Sequence, residues 1–117
     1  MITLKETHAA VLQNPTQWRV PLMDFVDDFR QHRDILALQD PFSLGDPPLD
    51  ALLASTAESL CREMNLLPPP WLADVPATPK AWFVSGFDSL HAIALAESPA
   101  DFRLRKIFVL ENFLSRA

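Results

Sequence analysis

Along the first half of the chain, apolar residues recur every three or four positions, as they do on one face of an α-helix. This spacing predicts a helix over residues 3–13 and a second helix with Pro21 in its first turn. Asp46 and Pro47 fit the N-cap and first positions of a third helix. This third helix has the clearest apolar face, formed by Leu49, Leu52, Leu53, Ala57, Leu60 and Met64.

Residues 98–117 predict a last helix with a well-formed start. Ser98 fits the N-cap position, Pro99 the first helical position, and Asp101 the third, where its carboxylate can bond back to the cap. Apolar residues then cover most of the helix circumference, namely Leu104, Ile107, Phe108, Leu110, Phe113 and Leu114. A helix with this pattern is either central in the core or covered by another chain.

Between these regions lies a proline-rich stretch, residues 65–80, which includes three consecutive prolines at 68–70. We interpret it as a packed, rigid linker, with a ligand for SH3- or WW-type domains as the alternative. For residues 81–85 (AWFVS) we favour a helix over a lone strand, because no pairing partner is evident. A further helix is predicted over about residues 87–97. The predicted fold is therefore a single all-α domain over residues 1–117, an irregular bundle of five or six helices with proline-rich connectors.

Composition narrows the classes of function. The 117 residues carry 15 acidic and 10 basic side chains, a net charge of −5, which makes nucleic acid an unexpected partner. No apolar run is long enough to span a bilayer, so we expect a cytoplasmic protein without a membrane segment. Cys61 is the single cysteine. We interpret it as a packed core residue rather than a reactive thiol.

Candidate catalytic groups are sparse. Asp24, Asp27 and Asp28 share one helix face, but we interpret them as a solvated surface rather than a metal site. The three histidines stand singly, and SGFDSLH (residues 85–91) lacks the strained nucleophile turn of a hydrolase. We therefore predict a non-enzyme with no cofactor and no bound metal.

The basic residues Arg103, Arg105 and Lys106 point in different directions on the predicted last helix, unlike those of a DNA-reading helix. A narrow polar strip on that helix combines Asp101, Arg105, Asn112 and Arg116. The predicted partner-binding residues are Trp82, Arg103, Arg105, Asn112 and Arg116.

Several short motifs in the last third resemble a group of short bacterial proteins encoded beside nucleotidyltransferase-like proteins of toxin–antitoxin type. The matching residues are Trp82-Phe83, Ser98-Pro99, Phe102-Arg103, Arg105, Ile107-Phe108-Val109, Asn112 and Arg116-Ala117. Ala81 departs from the pattern, which has proline there. The resemblance implies the antitoxin-like, non-enzymatic member of such a pair.

We therefore expect a protein-interaction module that binds and occludes a nucleotidyltransferase-type toxin, with an acidic body and an apolar anchor on the last helix. A homo-oligomer is the other expected assembly. The alternative function is a DNA-binding autoregulator of helix-turn-helix type, which would need a basic helix face that the sequence lacks.

Overall fold

A computed structural model describes residues 1–115, in which five α-helices and two short strands form the fold. The helices are α1 (Leu4–Gln13), α2 (Arg19–His32), α3 (Pro47–Glu63), α4 (His91–Glu97) and α5 (Ala100–Arg103). The strands are β1 (Trp82–Phe83) and β2 (Ile107–Phe108). Short 3-10 turns cover Pro15–Gln17, Ile35–Leu38, Pro70–Asp74 and Asp88–Leu90. The predicted all-α class is confirmed. None of the described helices combines the length and apolar character that crossing a bilayer requires.

Helices α1 and α3 start at side-chain caps. The Thr3 hydroxyl oxygen accepts the Glu6 N–H at 3.1 Å, and Asp46 Oδ1 accepts the Leu49 N–H at 3.3 Å. Pro47 lies in the first turn of α3, where the backbone N–H that proline lacks would have no partner within the helix. The predicted start of α3 is therefore confirmed.

The centre of the fold is α3. Every residue from 49 to 57 is buried, so this helix is enclosed on nearly all sides. Helices α1 and α5 pack against it, and α2 packs against both α1 and α3. For the last helix the sequence predicts either such an enclosed position or cover by another chain, whereas the structure gives the enclosed position to α3.

The proline-rich stretch packs on the core. Leu72 is fully buried, and the Trp71 indole N–H donates to the Leu38 carbonyl at 2.7 Å. The stretch begins at Asn65, which has a left-handed conformation (φ 57°). The Leu66 N–H then donates to the Cys61 carbonyl, a bond typical of the end of a helix. These contacts agree with the packed-linker interpretation.

The two strands form a parallel pair in which Trp82 lies opposite Ile107. The Trp82 N–H donates to the Lys106 carbonyl at 2.9 Å, and the Val84 N–H donates to the Phe108 carbonyl at 3.0 Å. The favoured helix over residues 81–85 is wrong, and the strand alternative describes the chain. Its pairing partner lay inside the segment predicted as the last helix.

The predicted long last helix is also wrong, because α5 ends at Arg103. Lys106 takes a left-handed conformation (φ 63°), and the chain leaves it as a strand. Ser98 is not the N-cap. Its hydroxyl lies 2.5 Å from the Ala94 carbonyl oxygen and accepts the Val109 N–H at 2.8 Å, which ties the end of α4 to the chain after β2.

Candidate functional site

The predicted partner-binding residues do not form one strip. Trp82 is half-buried, with its ring edge-on to Trp18 at a centroid distance of 5.6 Å. Arg103 is exposed at the end of α5, and Asn112 is exposed in the turn after β2. Arg116 lies outside the described residues. Since α5 ends before Arg105, the helical polar strip predicted from the sequence does not exist.

Arg105 is an internal residue, with only 7% of its surface exposed. Its guanidinium donates to the carbonyls of Val75 (3.0 Å) and Leu72 (2.6 Å) and forms an ion pair with Glu58. Ser55 Oγ lies 3.4 Å from the same group. With its N–H groups engaged inside the protein, Arg105 joins the proline-rich stretch to α3. The expectation that the Arg105 side chain faces a partner is therefore corrected: it faces the interior of the protein.

An exposed apolar surface is found on α4 and the turn before it. Ala94 is the only buried residue of α4, whereas Ile93 and Leu95 are 45% and 48% exposed. Phe87, just before the helix, is 66% exposed. We call Phe87, Ile93 and Leu95 the α4 surface. An amphipathic helix of a monomer normally buries more of its apolar residues than this.

Aromatic stacking fixes the start of α4. The His91 imidazole stacks on Phe83 at 3.9 Å, and Phe83 stacks on Phe108 of β2 at 4.9 Å. Together with the Ser98 bonds, this stack attaches both ends of α4 to the strand pair. The helix is therefore held in one orientation, with Ala94 turned inward and Ile93 and Leu95 on its two flanks, each about 100° from Ala94.

A shallow groove of about 600 Å³ runs between α4 and the turn after β2. Its lining residues are Leu90, Ile93, Glu97, Leu110, Glu111, Asn112 and Ser115. The Glu111 N–H donates to Glu97 Oε1 at 3.0 Å, which joins the two walls. The groove continues the α4 surface and includes Asn112, a residue that the sequence selected.

The charged side chains that line this groove are both acidic. Residues 81–102 contain no lysine or arginine, and the groove is lined by Glu97 and Glu111. The Asp88 carboxylate, at the start of the same segment, is fully exposed. The exposed apolar side chains are therefore bordered by carboxylates, and a basic surface is their electrostatic complement.

The candidate catalytic groups are dispersed. Asp28 Oδ2 accepts the Ile2 N–H at 2.7 Å, and no group of three or more His, Cys, Asp or Glu side chains within residues 1–115 is arranged to hold a metal ion. His91 Nε2 lies 3.6 Å from Asp88 Oδ1. Ser85 Oγ has no hydrogen-bond partner in the described chain, so it makes no bond to His91.

A buried pair joins α1 to α3. His8 Nε2 lies 2.6 Å from Asp50 Oδ1, and the His8 ring stacks on Phe42 at 4.0 Å. Asp50 Oδ2 accepts the N–H groups of Gly45 (3.0 Å) and Asp46 (3.2 Å). Asp50 is thus a second internal cap for the start of α3, and the pair is enclosed by the fold.

Cys61 is fully buried on α3, in agreement with its interpretation as a core residue. Burial, with smaller contributions from the charges of Glu58 and Asp101, raises the pKa of its thiol to about 11 from an ordinary 9.0. The thiolate, which is the reactive form, is therefore disfavoured.

Sequence reasoning missed Phe87, Ile93, Leu95 and Glu111 as surface residues. The signal was present in HAIALAE, because a seven-residue helix with so few polar residues cannot bury all its apolar side chains against one neighbour. HAIALAE also lies within residues 81–102, the longest part of the second half of the sequence without a lysine or arginine.

Comparison of the chain with known protein families, with curated proteins and with solved structures found no match.

Proposed function

We propose that this chain is a non-enzymatic protein-interaction module whose partner binds the α4 surface and the adjoining groove. The observation that carries the proposal is the exposure of Phe87, Ile93 and Leu95 in a segment, residues 81–102, that carries acidic side chains and no lysine or arginine. Apolar side chains that are exposed within a polar rim are a common feature of protein interfaces.

The partner that fits is a protein with an apolar patch bordered by lysine or arginine. The net charge of −5 and the carboxylates of Asp88, Glu97 and Glu111 favour such a surface by charge complementarity. A nucleotidyltransferase would supply the basic part of this surface, because its substrate cleft must attract phosphates. The proposed role is therefore that of an antitoxin-like protein that covers this cleft in the cytoplasm.

The apolar anchor in this proposal differs from the one that the sequence predicts. Phe102, Ile107 and Val109 of the expected last helix are buried in the chain's own core. Helix α4 replaces that segment as the source of exposed apolar side chains, and the acidic contribution is unchanged.

The test is binding of the full chain to the product of the adjacent gene, measured by calorimetry and by relief of growth arrest on co-expression. Ile93→Asp should raise the Kd at least about tenfold, because an unpaired carboxylate would be buried in the interface. Glu97→Lys should slow association and weaken its salt dependence. Leu67→Asp is the matched control, since Leu67 is 89% exposed on another segment and should leave binding unchanged.

The proposal is wrong if the two proteins do not bind, or if Ile93→Asp and Leu67→Asp weaken binding equally. The solution mass of the chain alone distinguishes a further outcome. A dimer that Ile93→Asp converts to a monomer would show that a second copy, rather than a toxin, covers α4.

A further inference from the structure

A second cavity, of about 250 Å³, lies where the start of α2 meets the segments that follow β1 and β2. We call it the Arg19 cleft. Its lining residues are Arg19, Val84, Ser85, Val109, Leu110, Asn112, Phe113 and Ser115. It shares Leu110, Asn112 and Ser115 with the groove beside α4, and differs from that groove in including Arg19 of α2 and the Val84–Ser85 segment after β1.

Arg19 is held by aromatic rings rather than by an acid. Its guanidinium carbon lies 4.7 Å from the centre of the Trp18 ring and 5.8 Å from that of Phe113. Arg30, Arg62 and Arg105 each form an ion pair with a carboxylate. Arg19 forms no such pair with another residue among 1–115, and the two rings hold its guanidinium at the cleft.

Ser85 adds a second unsatisfied group. Its hydroxyl oxygen is shielded from solvent and has no hydrogen-bond partner among residues 1–115. A buried hydroxyl without a partner is uncommon, because its desolvation is not offset by a new bond. A ligand in the cleft could satisfy this hydroxyl.

The remaining lining selects the class of ligand. Asn112 and Ser115 add neutral polar groups, and no Asp or Glu among residues 1–115 lines the cleft. Together with Arg19, this arrangement favours an anion. The other walls are apolar, formed by Val84, Val109, Leu110 and Phe113. An anion with an apolar body therefore fits better than inorganic phosphate or sulfate.

We propose that the Arg19 cleft binds a small organic carboxylate with an apolar body. The carboxylate accepts hydrogen bonds from the Arg19 guanidinium and the Ser85 hydroxyl, and the body packs on Leu110 and Phe113. The cavity volume limits the body to about one ring or one branched aliphatic chain. The same chemistry is offered by a free carboxylic acid and by the carboxyl terminus of a peptide. This inference goes beyond the proposed function, since the anion would be held by Arg19 and Ser85, which do not line the groove beside α4.

The experiment is titration of the full chain with phenylacetate, followed by tryptophan fluorescence and by methyl NMR. Trp18 lies directly under Arg19, so its emission should change as the cleft fills. Saturable binding is expected for phenylacetate, with at least tenfold weaker binding of the neutral amide phenylacetamide. Arg19→Gln should weaken phenylacetate binding at least tenfold, and Ser85→Ala several-fold. Arg103→Gln, at an exposed arginine on α5, is the matched control and should bind like the unchanged chain.

Several results would overturn the inference. One is the absence of saturable phenylacetate binding, another is equal binding of phenylacetate and its amide, and a third is tighter binding of inorganic phosphate. Unchanged unfolding midpoints for Arg19→Gln and Ser85→Ala ensure that a lost signal reports the cleft. A peptide ending in a free phenylalanine carboxylate, compared with its amidated form, identifies the source. Binding tighter than that of phenylacetate assigns the cleft to a peptide terminus, and weaker binding assigns it to a free acid.

Discussion

Replacing Arg105 with methionine should remove much of the stability of the fold. The change keeps the apolar stem but deletes every N–H that reaches Val75, Leu72 and Glu58. The side chains of Arg105 and Glu58 are 8% and 18% exposed, so water cannot fully replace the lost ion pair. Breaking a buried pair from one side costs about 3–5 kcal/mol. That is a large part of the roughly 5–15 kcal/mol by which domains are stable.

The assay is urea unfolding followed by tryptophan fluorescence, with thermal unfolding as a second measure. The free energy of unfolding should fall by about 3–5 kcal/mol at an unchanged m-value. At about 4 °C per kcal/mol for a chain of this size, Tm should fall by about 12–20 °C. Adding Glu58→Met removes the unpaired carboxylate. The double variant should therefore be more stable than the sum of the two single changes by at least about 1 kcal/mol.

Arg103→Met is the matched control. Arg103 lies two positions earlier, exposed at the end of α5, and its change should stay within about 0.5 kcal/mol. A loss below about 1 kcal/mol for Arg105→Met would refute the reasoning. So would simple additivity with Glu58→Met, because the pair would then carry no coupling energy.

Three further predictions concern buried polar groups. Asp50→Ala should lower the free energy of unfolding in urea by about 2–4 kcal/mol, because it removes the acceptor for His8 and two backbone N–H groups; a loss under 1 kcal/mol, roughly one ordinary hydrogen bond, would contradict it. Ser98→Ala should cost about 1–3 kcal/mol and speed amide exchange at Val109, whose N–H loses its acceptor; unchanged exchange would argue against the bridging role. For Cys61, the raised pKa means that the unfolded chain loses the thiol proton first. The free energy of unfolding should therefore be at its full value below pH 9 and fall by up to about 3 kcal/mol as pH approaches 11. Urea titrations of Cys61→Ala should lack this part of the pH dependence, and an identical pH profile in both proteins would refute it.

The sequence by itself determined the helical half of the molecule. Helices α1, α2 and α3 have local signals that do not need the rest of the chain, such as Asp46 at the cap and apolar faces at helical spacing. The all-α class, the packing of the proline-rich stretch and the burial of Cys61 follow from the same local rules. Each of these features depends on residues that are neighbours along the chain, which is why pattern reasoning reached them.

Only the tertiary structure decided the second half. A short apolar run such as Ile107–Val109 fits a helix or a strand equally well, and its strand partner Trp82 is distant in sequence. Pairing with β1 ended α5 early, turned Arg105 inward to Glu58, and left α4 with an exposed apolar side. The groove beside α4 and the Arg19 cleft are assembled from segments that are separate in the chain. No local pattern encodes which of those segments meet.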